Sequence, residues 1–183
     1  MHKTYSILMA LLSLAATMCL IILLYYLSVA YGKGAAQLGR DLYRKGRYEA
    51  AERRFRIAKH LGYSQEKERA AALYQMGKFR EAEEILRKDK KTISITGALG
   101  VVLLAQCKYQ EAERVLGTVI SVGGTDFEHQ KALAYHNLSV LYRKRGEISR
   151  SDNARKKALV ISGGDASSWP LSRPIYPIWL GNP

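Results

Sequence analysis

The sequence predicts an all-α fold: a single N-terminal transmembrane helix, an α-solenoid of about four helix-turn-helix hairpins, and an extended C-terminal tail. Three observations carry this. Ile7 to Tyr31 is a run of 25 residues without a charge. Between 34 and 162 a pattern of apolar, small and glycine positions recurs at spacings of 31 and 30 residues. The final segment, 163–183, holds all four prolines and both tryptophans.

The uncharged run, ILMALLSLAATMCLIILLYYLSVAY, exceeds the roughly 20 apolar residues that cross a hydrocarbon core. Tyr5 at one end and Tyr25, Tyr26 and Tyr31 at the other fall where amphipathic rings favour the interface. A cleaved secretory signal is the rival reading, with His2 and Lys3 as its basic lead and Ser28-Val29-Ala30 as its cleavage site. The run is too long for the about 7 to 15 apolar residues of such a signal, so the helix reads as a retained anchor over 7–31, preceded by a short tail, 1–6. Lys33, Arg40, Arg44, Lys45 and Arg47 follow it, against Lys3 and the amino terminus before it. That bias favours a cytoplasmic repeat domain, and the layout is similar to that of bacterial inner-membrane accessory proteins.

Three segments superimpose without a gap: LYRKGRYEAAERRF from Leu42, LYQMGKFREAEEIL from Leu73 and LLAQCKYQEAERVL from Leu103. Their shared slots are a turn residue (Gly46, Gly77, Cys107), an aromatic two residues on (Tyr48, Phe79, Tyr109), a small residue (Ala51, Ala82, Ala112) and a large apolar one (Phe55, Leu86, Leu116). Glycine takes the left-handed backbone that stops a helix, the aromatic starts the next helix, and alanine lets the pair approach. A fourth copy has Gly146 at the turn but Ser151 and Arg155 in the small and large slots, which reads as a solvated cap. Such hairpins cannot bury their apolar stripes singly, so they stack. The pattern resembles the tetratricopeptide repeat (TPR), most closely in Leu38, Gly39, Leu42, Gly46, Tyr48, Ala51, Phe55 and Ala58. It departs from that family in lacking the proline after the second helix and in placing Cys107 at a turn. Helices are expected at 34–45, 48–61, 65–76, 79–89, 94–106, 109–121, 127–145 and 147–161. Thr125 to Glu128 reads as a capping box before the seventh of these, and Gly163-Gly164 as the stop after the last.

The tail DASSWPLSRPIYPIWLGNP is too proline-rich for helix and too rich in large apolar residues for a disordered linker. Two readings stay open for Trp169, Tyr176 and Trp179: they fold back over the apolar stripe of the last hairpin, or they dock on a partner.

No residue set advertises catalysis, a cofactor or a metal. His129 and His136 share a helix without a Cys or acidic companion at zinc-ligand spacing and read as isolated polar surface. Glu81, Glu83 and Glu84 read as solvated helix pairing with nearby Lys and Arg. Cys19 and Cys107 are too few and too far apart for a disulfide framework. The chain reads as a non-enzyme.

The resemblance implies an adaptor whose groove is lined by the first helix of every pair. Carried onto this sequence, the groove positions are Lys33, Arg40, Tyr43 and Arg44; Lys67, Tyr74 and Gln75; Val101 and Leu104; and His136, Asn137, Val140, Arg143 and Lys144. A surface basic and aromatic at its ends and apolar between them suits an acidic or amphipathic protein segment. The paired asparagines of the family's chaperone-tail clamp fall here at Arg40, Ala71 and Val101, so chaperone recruitment is not expected. The chain carries 29 Lys and Arg against 16 Asp and Glu, and 32–63 alone has nine basic and three acidic residues. Beside a bilayer such a cluster attracts anionic lipid; no nucleic-acid-binding motif accompanies it. The expected function is a membrane-anchored scaffold that assembles or stabilises a membrane-associated complex. The alternatives are a permanent structural subunit of such a complex and a basic lipid- or nucleic-acid-binding regulator.

Overall fold

The computed structural model describes residues 2–89, 92–170 and 172–176, the side chains of 2–8 and 10–12 apart. Among the described residues the protein is all-helical, with eight α-helices and one short 3-10 helix. They are α1 (His2–Arg44), α2 (Tyr48–His60), α3 (Glu66–Gln75), α4 (Phe79–Lys88), α5 (Ile93–Ala105), α6 (Tyr109–Ser121), α7 (Glu128–Lys144) and α8 (Ile148–Ile161); the 3-10 turn covers Asp165–Ser168. The seven helices expected between 48 and 161 are found within one residue at each end. The expected separation between a membrane helix ending at 31 and a repeat helix starting at 34 is absent. Gly32 and Gly34 lie inside one helix of 43 residues, about 65 Å long at 1.5 Å per residue. Glycine weakens a helix interior without requiring a break there. Gly32 instead permits close packing, since an added Cβ would lie 3.2 Å from that of Leu61 and 3.3 Å from that of Tyr63.

Within Ser13–Arg44 lies a stretch of mean hydropathy 2.1 with none of its residues buried, so this helix is long and apolar enough to cross a membrane. Its C-terminal third is different. Ala35 and Ala36 are buried against Ala58 of α2, and Gly39 faces the ring of Phe55. The apolar rod and the first packed helix are therefore one element.

The four hairpin turns are closed by the same pair of bonds. Gly46 N–H donates to the Tyr43 carbonyl and Arg47 N–H to that of Leu42; the pairs are Gly77 to Tyr74 with Lys78 to Leu73, Cys107 to Leu104 with Lys108 to Leu103, and Gly146 to Arg143 with Glu147 to Tyr142. This is the glycine-terminated helix stop in which the two backbone donors after the helix satisfy its last free carbonyls. Cys107 holds it at φ 59°, in the left-handed region the three glycines occupy at 72° to 78°. The turn geometry, not the glycine, is what recurs.

Each α-helix packs on its successor, and α3, α5 and α7 also touch in that order. Inside each of the first three hairpins a small residue of the first helix faces the large residue of the second. An added Cβ on Gly39 would come within 2.7 Å of Phe55, and one on Gly100 within 2.6 Å of Leu116. Ala70 and Leu86 pack together in the same way. Successive hairpins are stitched by a glutamate six residues after each of the first three turns. Glu52 accepts from Arg69 Nε (2.8 Å), Glu83 from Gln106 Nε2 (2.7 Å) and Lys108 Nζ (2.8 Å), and Glu113 from the Tyr142 hydroxyl (2.9 Å) and Arg145 (2.9 Å). Glu83 thus departs from its expected role as solvated pairing: it is buried. Burial alone would raise its carboxyl, but hydrogen bonds from Lys108, Arg87 and Gln106 outweigh that and hold it at about 2.

The expected capping box at Thr125 is not used. Helix α7 opens two residues later than the box requires, with Phe127 as its N-cap residue and no side-chain cap, while Thr92 Oγ1 accepts from Ile95 N–H at the start of α5. Gly163 and Gly164 follow the last helix at φ 62° and 102°, as expected of a glycine stop.

Candidate functional site

The fourth hairpin breaks the small-against-large pairing. Where Gly39, Ala70 and Gly100 stand in the earlier hairpins there is Ser139, and where Phe55, Leu86 and Leu116 stand there is Arg155. Both substitutions are accommodated by polar bonds. The Ser151 hydroxyl, in the alanine slot, donates to the Ser139 carbonyl at 2.9 Å. Arg155 turns from the helix pair towards the segment after α8 and donates to the carbonyls of Ser167 (3.3 Å) and Trp169 (3.2 Å) and to His136 Nδ1 (3.0 Å). The residue expected to mark a solvated cap therefore holds the tail.

His136 is fully buried, contrary to its expected place on the surface. Because guanidinium only donates, Nδ1 is the acceptor of the imidazole, and Nε2–H donates to the Arg173 carbonyl (3.3 Å). Burial lowers the ring to about 4, the Arg173 carbonyl opposes that and the Arg155 charge adds to it, so the neutral form is the one held. Trp169 stands edge-on to this ring with centroids 5.4 Å apart, and edge-on to the exposed His129 at 6.3 Å. Asn137, also buried, makes a two-point bond to the tail main chain. Its Nδ2 donates to the Ile175 carbonyl (3.0 Å) and its Oδ1 accepts from Ile175 N–H (2.7 Å). One turn of α7 thus grips the backbone of Arg173 and Ile175, whatever side chains these carry.

Tyr176 reaches further, to α3. Its ring lies 5.3 Å from that of Tyr74, which in turn contacts Phe79 at 5.5 Å, and it packs on the cluster of Ala70, Leu73, Ile95, Ala98 and Val102. Its hydroxyl is buried with no hydrogen-bond partner among the described residues. Burial pushes the phenol well above its ordinary range, with Tyr43, Glu68 and Tyr74 adding to the effect. Trp179 lies outside the described residues.

The sequence-derived groove divides accordingly. Tyr74, His136 and Asn137 meet at the tail. Val101, Leu104 and Val140 are core residues and offer no open surface; Leu104 and Val140 belong to the cluster built on Leu116 and Leu141. They face the neighbouring helices because close helix stacking consumes the apolar part of the inner surface. Tyr43 accepts a bond from Gln75 Nε2 (3.3 Å) and sits edge-on to Tyr48. Arg40 donates to Gln65 (3.1 Å) and Gln37, Lys67 to Ser94 (3.1 Å), and Arg44 pairs with Asp41. Arg143 lies 3.7 Å from Asp152, and Lys33 and Lys144 are exposed. Arg155, absent from the predicted set, carried a legible signal: it is a charged residue in a slot that is otherwise large and apolar. Among the described residues no three of His, Cys, Asp and Glu gather as a metal would require. Compared with protein-family models the chain matches none, and compared with curated proteins it finds no match either.

Proposed function

We propose that this is a membrane-anchored scaffold of TPR-like hairpins, stacked as an α-solenoid, that binds extended segments of other proteins and thereby assembles or stabilises a membrane-associated complex. The observation that carries this reading is the grip of Asn137 and His136 on the main chain of Arg173 and Ile175, with an aromatic seat for Tyr176 beside it. Main-chain bonds supply affinity for any extended chain and the aromatic seat supplies selectivity, which is how extended peptides are recognised generally. The apolar N-terminal helix anchors the hairpins in the bilayer, and the basic residues of 32–63 favour their lying on the cytoplasmic face. Because α1 runs unbroken into the first hairpin, the anchor also orients the scaffold.

Extraction of the native membrane in mild detergent, followed by sizing and mass spectrometry of what accompanies the chain, tests the reading. Co-purifying proteins that are lost from an Asn137→Ala variant support a peptide-holding scaffold. A fixed-ratio complex indifferent to Asn137→Ala would instead make the chain a permanent subunit held through its membrane helix.

A further inference from the structure

The groove on α3, α5 and α7 already has an occupant, and that occupant is imperfect. Asn137 reads only main chain, so the place of Ile175 admits every residue except proline, which lacks the N–H that Oδ1 accepts. The place of Tyr176 is an apolar and aromatic seat with Glu68 and two tyrosines near it, a setting that opposes an acidic side chain there. The buried hydroxyl of Tyr176 is unbonded, and a buried unsatisfied polar group weakens an interaction. Phenylalanine in that place would fill the same seat without that loss. Upstream, Arg155 holds the carbonyls of Ser167 and Trp169, so the tail stays tethered to α8 when its tip leaves the groove. Pro170 and Pro174 each fix one backbone angle of the tail, which lowers the ordering cost of docking.

We propose that residues 173–176 are a displaceable internal ligand of this groove, and that its ligand in trans is an extended protein segment with any residue but proline in the place of Ile175 and an uncharged aromatic one in the place of Tyr176. This rests on the scaffold reading above and adds its regulation: the groove is closed in cis, and a partner opens it by outcompeting the tail. Tethering gives the tail an effective concentration of order millimolar, so a segment of the same sequence competes poorly and a better-fitting one succeeds.

The test uses the full chain in detergent micelles and a fluorescent peptide of sequence DASSWPLSRPIY. Three proteins are compared: the unaltered chain, Tyr176→Ala, which frees the groove while leaving its walls intact, and Tyr176→Ala combined with Asn137→Ala. The peptide should bind Tyr176→Ala at least about tenfold more tightly than the unaltered chain, and the double variant should lose that gain. Replacing the peptide's terminal Tyr by Phe should tighten binding, and replacing its Ile by Pro should abolish it. Equal binding to the unaltered chain and Tyr176→Ala overturns the proposal, as does binding that Asn137→Ala leaves intact. A concentration-dependent dimer lost in Tyr176→Ala would make the occupant a second copy's tail and overturn closure in cis. Partners recovered by extraction while the peptide distinguishes none of the three proteins would leave the scaffold standing and remove the internal ligand. The reverse result would do the opposite.

Discussion

The first and last hairpins share a backbone and differ in what fills them. In the first, Phe55 is fully buried against Gly39, in a cluster with Ala51 and Ala72. In the last, Ser139 and Arg155 take those two places, and the polar bonds they make join α8 to α7 and to the tail. The same slot thus does two jobs: an apolar occupant closes the hairpin on itself, and a charged occupant opens it to another segment.

The comparison can be broken most forcefully at Phe55. Phe55→Ala should cost about 3–5 kcal/mol in denaturant unfolding, the range for truncating a buried aromatic. Arg155→Leu should leave the helical unfolding transition near its original position while hydrogen exchange at the amide of Ile175 accelerates. Equal loss of helix stability in the two variants would show that the last hairpin needs its arginine for folding, not for the tail.

The facing position is next. Gly39→Ala should destabilise by about 1–3 kcal/mol, because the new Cβ meets the Phe55 ring in a space with no slack. Gly34→Ala, in the same helix with nothing near its Cβ, should stabilise by up to about 1 kcal/mol. Thermal melts of the pair in one detergent distinguish a packing effect from a propensity effect.

Acid should separate the two regions in sequence. The imidazole of His136 is held below its unfolded value, so the unfolded or undocked state takes up the proton first. Its stabilisation of the docked tail is complete above about pH 6.5 and is lost as pH falls towards 4. The groups facing it are the Arg155 guanidinium from α8 and the Arg173 carbonyl and Trp169 ring from the tail; burial and the guanidinium oppose a second proton on the ring and outweigh the carbonyl, which favours it. Glu83 is also held below its unfolded value, so its contribution persists above about 4.5 and fades towards 2. Tryptophan fluorescence should therefore change before the circular dichroism of the helices does, and His136→Gln should remove the earlier step. A single simultaneous transition would contradict the separation.

The smallest effect belongs to the turns. Cys107→Gly relieves a left-handed backbone on a residue with a Cβ and should stabilise by a few tenths to about 1 kcal/mol. Gly46→Cys at the equivalent turn should lose a similar amount, so the pair of melts measures the turn without touching the core.

The helical hairpins were legible because their signals are local. Apolar spacing, a residue able to turn left-handed and the following aromatic all act within one or two turns of chain, and the edges of seven helices follow from them to within a residue. A local signal misleads where a distant partner decides the outcome. The end of the uncharged run at 31 and the start of the repeat pattern at 34 read as two elements, yet close packing of Gly32 on Leu61 and Tyr63 suits an unbroken helix. Thr125 had the spacing of a cap, but the helix starts elsewhere. The glutamates at 52, 83 and 113 repeat visibly, but their partners in the next hairpin lie 17 to 37 residues away along the chain, beyond what helix periodicity can pair. The groove suffered most. Its positions were assigned from a repeat, whereas Val101, Leu104 and Val140 are consumed by stacking, and His136 and Asn137 are covered by a segment some 37 residues downstream.

From the sequence alone follow the all-helical class, the apolar N-terminal helix, the number and edges of the hairpins and the anomaly at Ser151 and Arg155. These depend on interactions over a few residues, which the order of the chain writes directly. Only the tertiary structure decided that the apolar helix and the first hairpin are one rod, that Glu83 is an inter-hairpin clasp, and that Arg155, His136 and Asn137 close on the tail. Each of those outcomes is a choice among partners brought together by stacking, and burial and directional hydrogen bonds settle such choices only once the helices are in place.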